Sequence, residues 1–529
     1  MITKRTLVGG IAVLTLALAG AGQGLSQPPA AGRAGGGGPP APPPPLAQAG
    51  DIVTTRQGKV QGGINEGVSA FRGVPFAAPP VGDLRWRDPK PHAAWTGVRA
   101  ATSFSAGCRD AEDCLYLNVW RPADAKPGAK LPVYVWIHGG AFTAGSGAGV
   151  DGAQFAKKGI VAVSVNYRLG RLGFFSHPAL KNEGGSTDGN YGLADNVAAL
   201  KWVQANIAAF GGDPKKVTIG GESAGAILVN LLMLAPPAQG TFNGAIAESG
   251  FGRRIMYPVH ANGRSGDEIG QRFAASQNIK GTDAAAAKAL RALPFSALGN
   301  APGSGQPDQP TPMLDGKLVK SGIYDGFAAG REAKVPYLVG GNSNESSLYR
   351  SFMDPKTEFA RIVDRKDAFN AAFDPEKSGN TERIVARYIT DQRISEPDRA
   401  LAREHSKRAP AFVYHFSYVP QAQAATSLGM AHGGEISYAF DTLRGNPDAP
   451  GQNVAAAMNR YFASFVKVGN PGAAGGPTWP KFDMANESLV EFPMNGTPVV
   501  QNHFHRERLD WVEAAAKKGP VRMAFEKLD

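Results

Sequence analysis

From about residue 130 onward, short apolar runs alternate with stretches whose apolar residues recur every three or four positions. The runs "VYVWI" (133–137), "IVAVSV" (160–165), "VTI" (217–219), "AIA" (245–247), "YLV" (337–339) and "AFVYHF" (411–416) predict strands. Between the second and third lies "LADNVAALKWVQANIAAF", which sets Leu193, Val197, Leu200, Val203 and Ile207 on one helical stripe. Gly211-Gly212-Asp213-Pro214 then stops that helix. Strand and helix in repetition predict an α/β fold, with a mostly parallel central sheet and helices on both faces. In such sheets the reactive loops leave the carboxyl ends of the strands.

The first 50 residues follow a different pattern. Lys4 and Arg5 precede the apolar run "TLVGGIAVLTLAL" (6–18), and Ala19-Gly20-Ala21 offers a small-residue cleavage site. Residues 1–21 therefore read as a secretory signal peptide. The run is shorter than the ~20 residues a membrane span needs. No stable membrane insertion is expected after cleavage. Residues 22–50, with "QPPAAGRAGGGGPPAPPPPLAQAG", carry almost nothing large and apolar to bury, and predict a disordered tether. Residues 51–529 are expected to form the folded domain. The chain is thus expected to be exported, to a periplasm or beyond, with the export route left open.

Composition narrows the partners. The formal charge of +11, two units lower once the signal leaves, is scattered and forms no long basic run. That is a solvated surface, and no nucleic-acid partner is expected. Cys108 and Cys114 are the two cysteines, an even number in an exported chain. They are expected to pair, closing a small loop worth ~2 kcal/mol. A C-x5-C metal site is the weaker reading, because no further Cys or His has ligand spacing beside it. No metal or cofactor is expected.

The candidate chemistry begins at "TIGGESAGA" (218–226). A lone G-x-S-x-G is weak evidence in so glycine-rich a chain, so context decides. Ser223 follows the strand "VTI" and precedes the apolar helical run "AILVNLLML". A tight strand-to-helix turn exposes a serine and aims helix N–H groups at the reacting centre, with Gly221 and Gly225 giving room. "HGGAF" (138–142) directly follows "VYVWI", as an oxyanion loop does in esterases. The backbone N–H groups of Gly140, Ala141 and Ala224 are the candidate oxyanion donors, with Gly139 and Glu222 of the same two motifs in support.

Behind such an elbow the chain order is nucleophile, acid, histidine. That order excludes His92, His138, His177 and His260 as the base. His432, in the loop "GMAHGGE" after "AFVYHF", is better placed than His405, His415, His503 or His505. For the acid, Glu345 follows the strand "YLV" in "GGNSNESS", and Asp315 in "MLDGK" is the runner-up.

With these residues in hand, the sequence closely resembles the type-B carboxylesterase/lipase family, a group with the α/β-hydrolase fold. The resemblance spans nearly all of residues 51–529. It rests on "FRGVPFAAPPVGDLRW", "EDCLYLNVW", "WIHGGAF", "NYRLGRLGFF", "GNYGLADNVAALKWVQANIAAFGGDPKKVTIGGESAG" and "WPKFD". It implies Ser223 as nucleophile, Glu345 as acid, His432 as base, and Gly140, Ala141 and Ala224 as the oxyanion hole. Ser249, in "AIAESG", matches a serine that supports the acid and base from behind.

There are two departures. The family's acid usually sits in an Asp-Glu-Gly context, whereas this chain reads Asn344-Glu345-Ser346. The family's amino-terminal disulfide loop is also much longer than "RDAED" between Cys108 and Cys114. That segment carries no aromatic ring to hold a quaternary ammonium by cation–π attraction, so no preference for choline esters is expected.

The expected activity is hydrolysis of a small-molecule carboxylic ester through an acyl-enzyme on Ser223. A catalytically silent binding module of the same fold, or amide or carbamate cleavage, are the alternatives. An unperturbed imidazole titrates near ~6.5, so activity should rise through about pH 6–7.

Overall fold

The computed structural model describes residues 46, 48–181, 185–299, 308–350, 353–362 and 366–519. The signal peptide and nearly all of the expected tether lie outside them. The described residues fall in the compact unit 37–529.

The strands are β1 (Gln48–Thr54), β2 (Lys59–Asn65), β3 (Val68–Pro75), β4 (Val98–Ala100), β5 (Tyr116–Pro122), β6 (Leu131–Ile137) and β7 (Val161–Val165), then β8 (Gly212–Glu222), β9 (Gly244–Glu248), β10 (Tyr337–Asn342), β11 (Ala411–Phe416), β12 (Leu489–Phe492) and β13 (Val499–Gln501). They form one sheet in the order β1-β2-β3-β5-β7-β6-β8-β9-β10-β11-β12-β13, with β4 alongside β2. From β7 to β12 every neighbouring pair is parallel. The edges are antiparallel: β1 with β2, β2 with β3, β3 with β5, β5 with β7, and β12 with β13.

All six strand runs read from the sequence are strands, and Ala411–Phe416 matches to the residue. Strand β1 starts earlier than the expected domain boundary, pairing Gln48 with Ile64 and Ala49 with Gly63. The last residues assigned to the tether are therefore part of the sheet.

Alternation along β6 shows why both faces are covered. Val133, Val135 and Ile137 join one buried cluster with Leu193, Val197, Leu200 and Val203 of helix Tyr191–Asn206. Tyr134 and Trp136 point the other way, into a second cluster with Val454, Met458, Phe462 and Phe465 of helix Ala449–Val468. Side chains of a strand alternate between faces, so a run apolar at every position needs a helix layer on each side. A third, smaller cluster gathers Trp86, Phe175, Tyr191, Phe273, Leu290 and Leu298 away from the sheet. Beside it, Arg85 pairs with Glu112 and donates to the carbonyls of Arg291 (2.9 Å) and Leu293 (2.7 Å).

Cys108 and Cys114 are disulfide-bonded, as expected. Among the described residues, no helix is long and apolar enough to cross a membrane.

The chain enters the parallel part of the sheet at β6, steps to β7 on one side, then crosses to β8 on the other. Ile137 at the end of β6 is paired with Gly221 at the end of β8. The loop "HGGAF" and the turn at Ser223 therefore leave adjacent strands side by side.

Candidate active site

Ser223 caps helix Ala224–Leu234 in a backbone conformation of φ 55° and ψ −120°. Side-chain-bearing residues rarely hold a positive φ, and such strain persists only where the surroundings enforce it. Here glycines make the enforcement sterically possible. A Cβ on Gly221 would stand 2.6 Å from the carbonyl oxygen of Ile137, and one on Gly225 would collide with that same oxygen. The Ser223 amide donates to Glu248 O of β9 at 2.8 Å, which ties the turn to the neighbouring strand.

Beside it, Gly140 has φ 107°, Ala141 55° and Phe142 62°. Among the described residues the amides of Gly140 and Ala141 find no acceptor. Ala224 is the first residue of its helix, so its N–H has no partner within that helix. Gly140 is exposed and Ala141 half-buried, so their N–H groups are open to an incoming oxygen, while Ala224 is buried. Three N–H groups that gather around one serine form a receptor for negative charge. His138, which opens this loop, stacks on Tyr167 at 4.4 Å, and Tyr167 Oη donates to its carbonyl at 2.9 Å. Burial lowers the His138 imidazole to about 4, so it stays neutral and structural.

His432 reaches Ser223 from the far side of the sheet's end. Its Nε2 lies 2.7 Å from Ser223 Oγ, and its Nδ1 faces Glu345 Oε2 in a short hydrogen bond. Glu345 is buried, with its other oxygen accepting from Ser249 Oγ (2.6 Å) and from the Asn342 amide (2.7 Å). The Ser249 hydroxyl thus sits behind the carboxylate, where the resemblance implied it.

The Asn344-Glu345-Ser346 turn needs no glycine. Ser346 is absent from the positive-φ positions, and its hydroxyl donates to Asn344 Oδ1 at 2.6 Å. The turn also holds the histidine loop. Asn344 N donates to Met430 O (2.9 Å), Met430 N to Ser343 Oγ (2.9 Å), and His432 N to Ser347 Oγ (2.9 Å). Ser343, Ser347, Asn342 and Thr390, which accepts from the Glu345 amide at 3.0 Å, were not legible in the sequence. They are ordinary polar residues whose partners lie 45 to 93 positions away or arise only from the turn.

The runner-up acid has another task. Asp315 accepts from Thr187 Oγ1 (2.6 Å), Asn190 Nδ2 (2.9 Å) and the amides of Lys317 and Val319, which makes it the organiser of a turn. His405 is buried against Val335 O (2.8 Å) and Glu332, and His415 lies within β11.

The electrostatics depart from the unperturbed titration the sequence suggested. Burial by itself lowers the His432 imidazole, but the carboxylates of Glu222 and Glu345 outweigh it and raise it to about 10. Glu222 Oε1 lies 3.2 Å from His432 Nε2, next to the serine. Glu222 is itself pushed up to about 7 by burial, with Glu345 adding to the push and His432 opposing it. Glu435, buried beneath them, rises to about 8 through burial and repulsion from Glu222. The histidine therefore holds its proton to higher pH than a free imidazole. Among the described residues no group of His, Cys, Asp and Glu is arranged to hold a metal ion.

Comparison with known proteins agrees with this geometry. Residues 49–511 match the model of the carboxylesterase family. The fumonisin B1 esterase of Sphingopyxis macrogoltabida is 36% identical over 474 residues, covering 82% of this chain and 85% of that protein. A human cocaine esterase is 31% identical, over 89% of this chain and 92% of its own. Among solved structures, a carboxylesterase of Geobacillus stearothermophilus superposes with a TM-score of 0.75 at 31% identity, over 87% of this chain and 99% of that one. A PNB esterase superposes at 0.73 and 29% identity, with the same two coverages. An open parallel sheet, a strained serine at its switch point and these relatives lead to one assignment: the chain belongs to the carboxylesterase family, has the α/β-hydrolase fold, and is a carboxylic ester hydrolase.

Proposed function

We propose that the protein hydrolyses small-molecule esters by double displacement, with Ser223 as nucleophile, His432 as general base and acid, and Glu345 as the group that orients the imidazole. The observation that carries this is the continuous hydrogen-bonded line from Ser223 Oγ through both ring nitrogens of His432 to Glu345, beside unpaired amides. His432 takes the hydroxyl proton as Ser223 Oγ attacks the ester carbonyl carbon. The carbonyl oxygen becomes negative, and the N–H groups of Gly140, Ala141 and Ala224 stabilise it. The alcohol then leaves with the proton from His432, and water repeats the sequence on the acyl-enzyme. Glu345, anchored by Ser249 and Asn342, stabilises the imidazolium formed in each half.

A set of reacting groups this complete argues against a silent binding module. The names of the relatives, fumonisin B1 esterase and cocaine esterase, fit an ester as the scissile group and differ widely in the rest of the molecule. The chain is proposed to act outside the cytoplasm, a reading supported by residues 1–21, and the mature protein is expected to begin near Gly22 when its amino terminus is sequenced.

Ser223→Ala tests the mechanism. The variant is expected to keep its circular dichroism spectrum and lose about 10^4-fold or more in kcat. A phosphonylating reagent should label Ser223 in the wild type and nothing in the variant. Turnover retained by the folded variant overturns the assignment.

A further inference from the structure

The oxyanion loop holds Gly140, Ala141 and Phe142 in succession at positive φ. Glycine adopts such a backbone at little cost, but an alanine and a phenylalanine stay there only while their surroundings enforce it. Packing enforces it at Phe142, which is buried with its ring centroid 5.0 Å from that of Phe174. Gly140 is exposed and Ala141 half-buried, so packing does less at the two residues that supply the amides.

Hydrogen bonds to the loop's carbonyls supply the rest. Gly140 O accepts from the amides of Thr143 (3.0 Å) and Ala144 (2.9 Å), a turn closed within the loop itself. Phe142 O accepts from the Gly170 amide at 2.7 Å. Between them, Ala141 O accepts from Gln309 Nε2 at 2.9 Å, and here the donor is a side chain 168 positions away. The segment that carries it is fastened on either side. Asp308 accepts two bonds from Arg272 (2.6 and 3.2 Å), and Met313 exchanges two with the buried Asn190 (2.8 and 2.9 Å).

We propose that Gln309 is a positioning residue for the ester hydrolysis: by holding the Ala141 carbonyl, it keeps the Ala141 N–H aimed at the substrate's carbonyl oxygen. Ala141 lies between two peptide planes. The one before it carries its N–H and is fixed at Gly140 O, and the one after it is fixed at Ala141 O by Gln309. With both planes fixed, Ala141 cannot turn toward an ordinary negative φ. Release of the second plane lets it turn, and the N–H moves with it. Donors fixed in place before charge develops are what make an oxyanion hole effective. The inference rests on Ser223 acting as nucleophile, and adds a residue that lies outside both sequence motifs.

The test removes the donor and keeps the shape. Gln309→Glu is isosteric, but its carboxylate can only accept. With 4-nitrophenyl butyrate, and active sites counted by the phosphonylating reagent, kcat per site should fall about 10- to 100-fold while KM stays within about threefold. A trifluoromethyl ketone reads the same loss in binding. Ser223 Oγ adds to its carbonyl carbon, the hydroxyl proton passes to His432, and the ketone oxygen becomes the anion that the amides receive. Its inhibition constant should rise by the same factor as kcat falls. Gln309→Lys, whose ammonium can still donate to Ala141 O, should keep kcat within about fivefold of wild type. Gln309→Met, with neither donor nor charge, should match Gln309→Glu, and decides the matter if that variant does not fold.

A kcat in the folded donor-free variants within twofold of wild type overturns the proposal. So does a rise in KM at unchanged kcat, which would make Gln309 a wall of the substrate pocket. A Lys variant as slow as Gln309→Met also overturns it, since the side chain would then act by packing. Failure of the phosphonylating reagent to label Ser223 in the wild type would instead count against the serine mechanism itself.

Discussion

The serine half of the site and the acid–histidine half are built by different forces. Around Ser223 the geometry comes from backbone sterics: a positive φ, two glycines pressed against Ile137 O, and a strand-to-helix turn. Around Glu345 and His432 it comes from side-chain hydrogen bonds contributed by Ser249, Ser343 and Ser347, with the Asn342 amide. A steric device fails abruptly when a single carbon is added. A network of hydrogen bonds degrades by steps, since each bond is worth roughly 0.5–1.5 kcal/mol net.

The largest expected effect sharpens that contrast on the serine side. In Gly225→Ala the new methyl meets Ile137 O and the backbone of His138, so the elbow must shift. Near-complete loss of ester turnover is expected, with stability lowered by about 1–3 kcal/mol from overpacking, read by urea denaturation beside kcat. Full activity in this variant would break the comparison.

On the other side, Glu345→Gln keeps the shape of the side chain and removes the charge that stabilises the imidazolium. A fall in kcat of about 10^2–10^4-fold is expected. Asp315→Asn, which touches its own turn and the side chains of Thr187 and Asn190 but neither Ser223 nor His432, should leave kcat within about twofold while lowering the melting temperature. The reverse ranking would show that the acid has been misassigned.

The smallest effect concerns pH. Catalysis needs His432 neutral, and the neighbouring carboxylates raise its proton affinity, so the acid limb of kcat/KM should lie above the pH 6–7 expected of a free imidazole. Glu222→Gln removes one of the three charges responsible, those of Glu222, Glu345 and Glu435. The limb should then move to lower pH, by about one unit or more. An unchanged limb would mean that Glu222 is already protonated throughout the working range.

The same contrast explains what was legible in the sequence. Strands β6 to β11 announce themselves because both of their faces are buried, which leaves uninterrupted apolar runs such as Val133–Ile137. The antiparallel edge from β1 to β5 does not, because strands such as β2 mix buried and exposed positions with glycine. Ser223 and the oxyanion loop are short local motifs, fixed by neighbours in the chain. Glu345 and His432 were found by their order after strands. Their supports Ser347 and Thr390 were not, because a hydroxyl's partner far along the chain leaves no local trace. The pH behaviour was hidden for a similar reason. Glu222 is adjacent to Ser223 in sequence, but its push on a histidine 210 positions away exists only once the sheet has formed.

The pairing of Arg85 with Glu112, and with the carbonyls of Arg291 and Leu293, has a dynamic consequence. It fastens the small cystine ring to a segment some two hundred positions later, over a cluster that is separate from the two large cores. A region with its own small core and its own clasp opens with a free energy of its own. Residues 82–87 and 284–298 should therefore breathe together, exchanging their amide protons as one unit faster than the central strands do. The molecule would then carry a loosely hinged flank on a rigid frame.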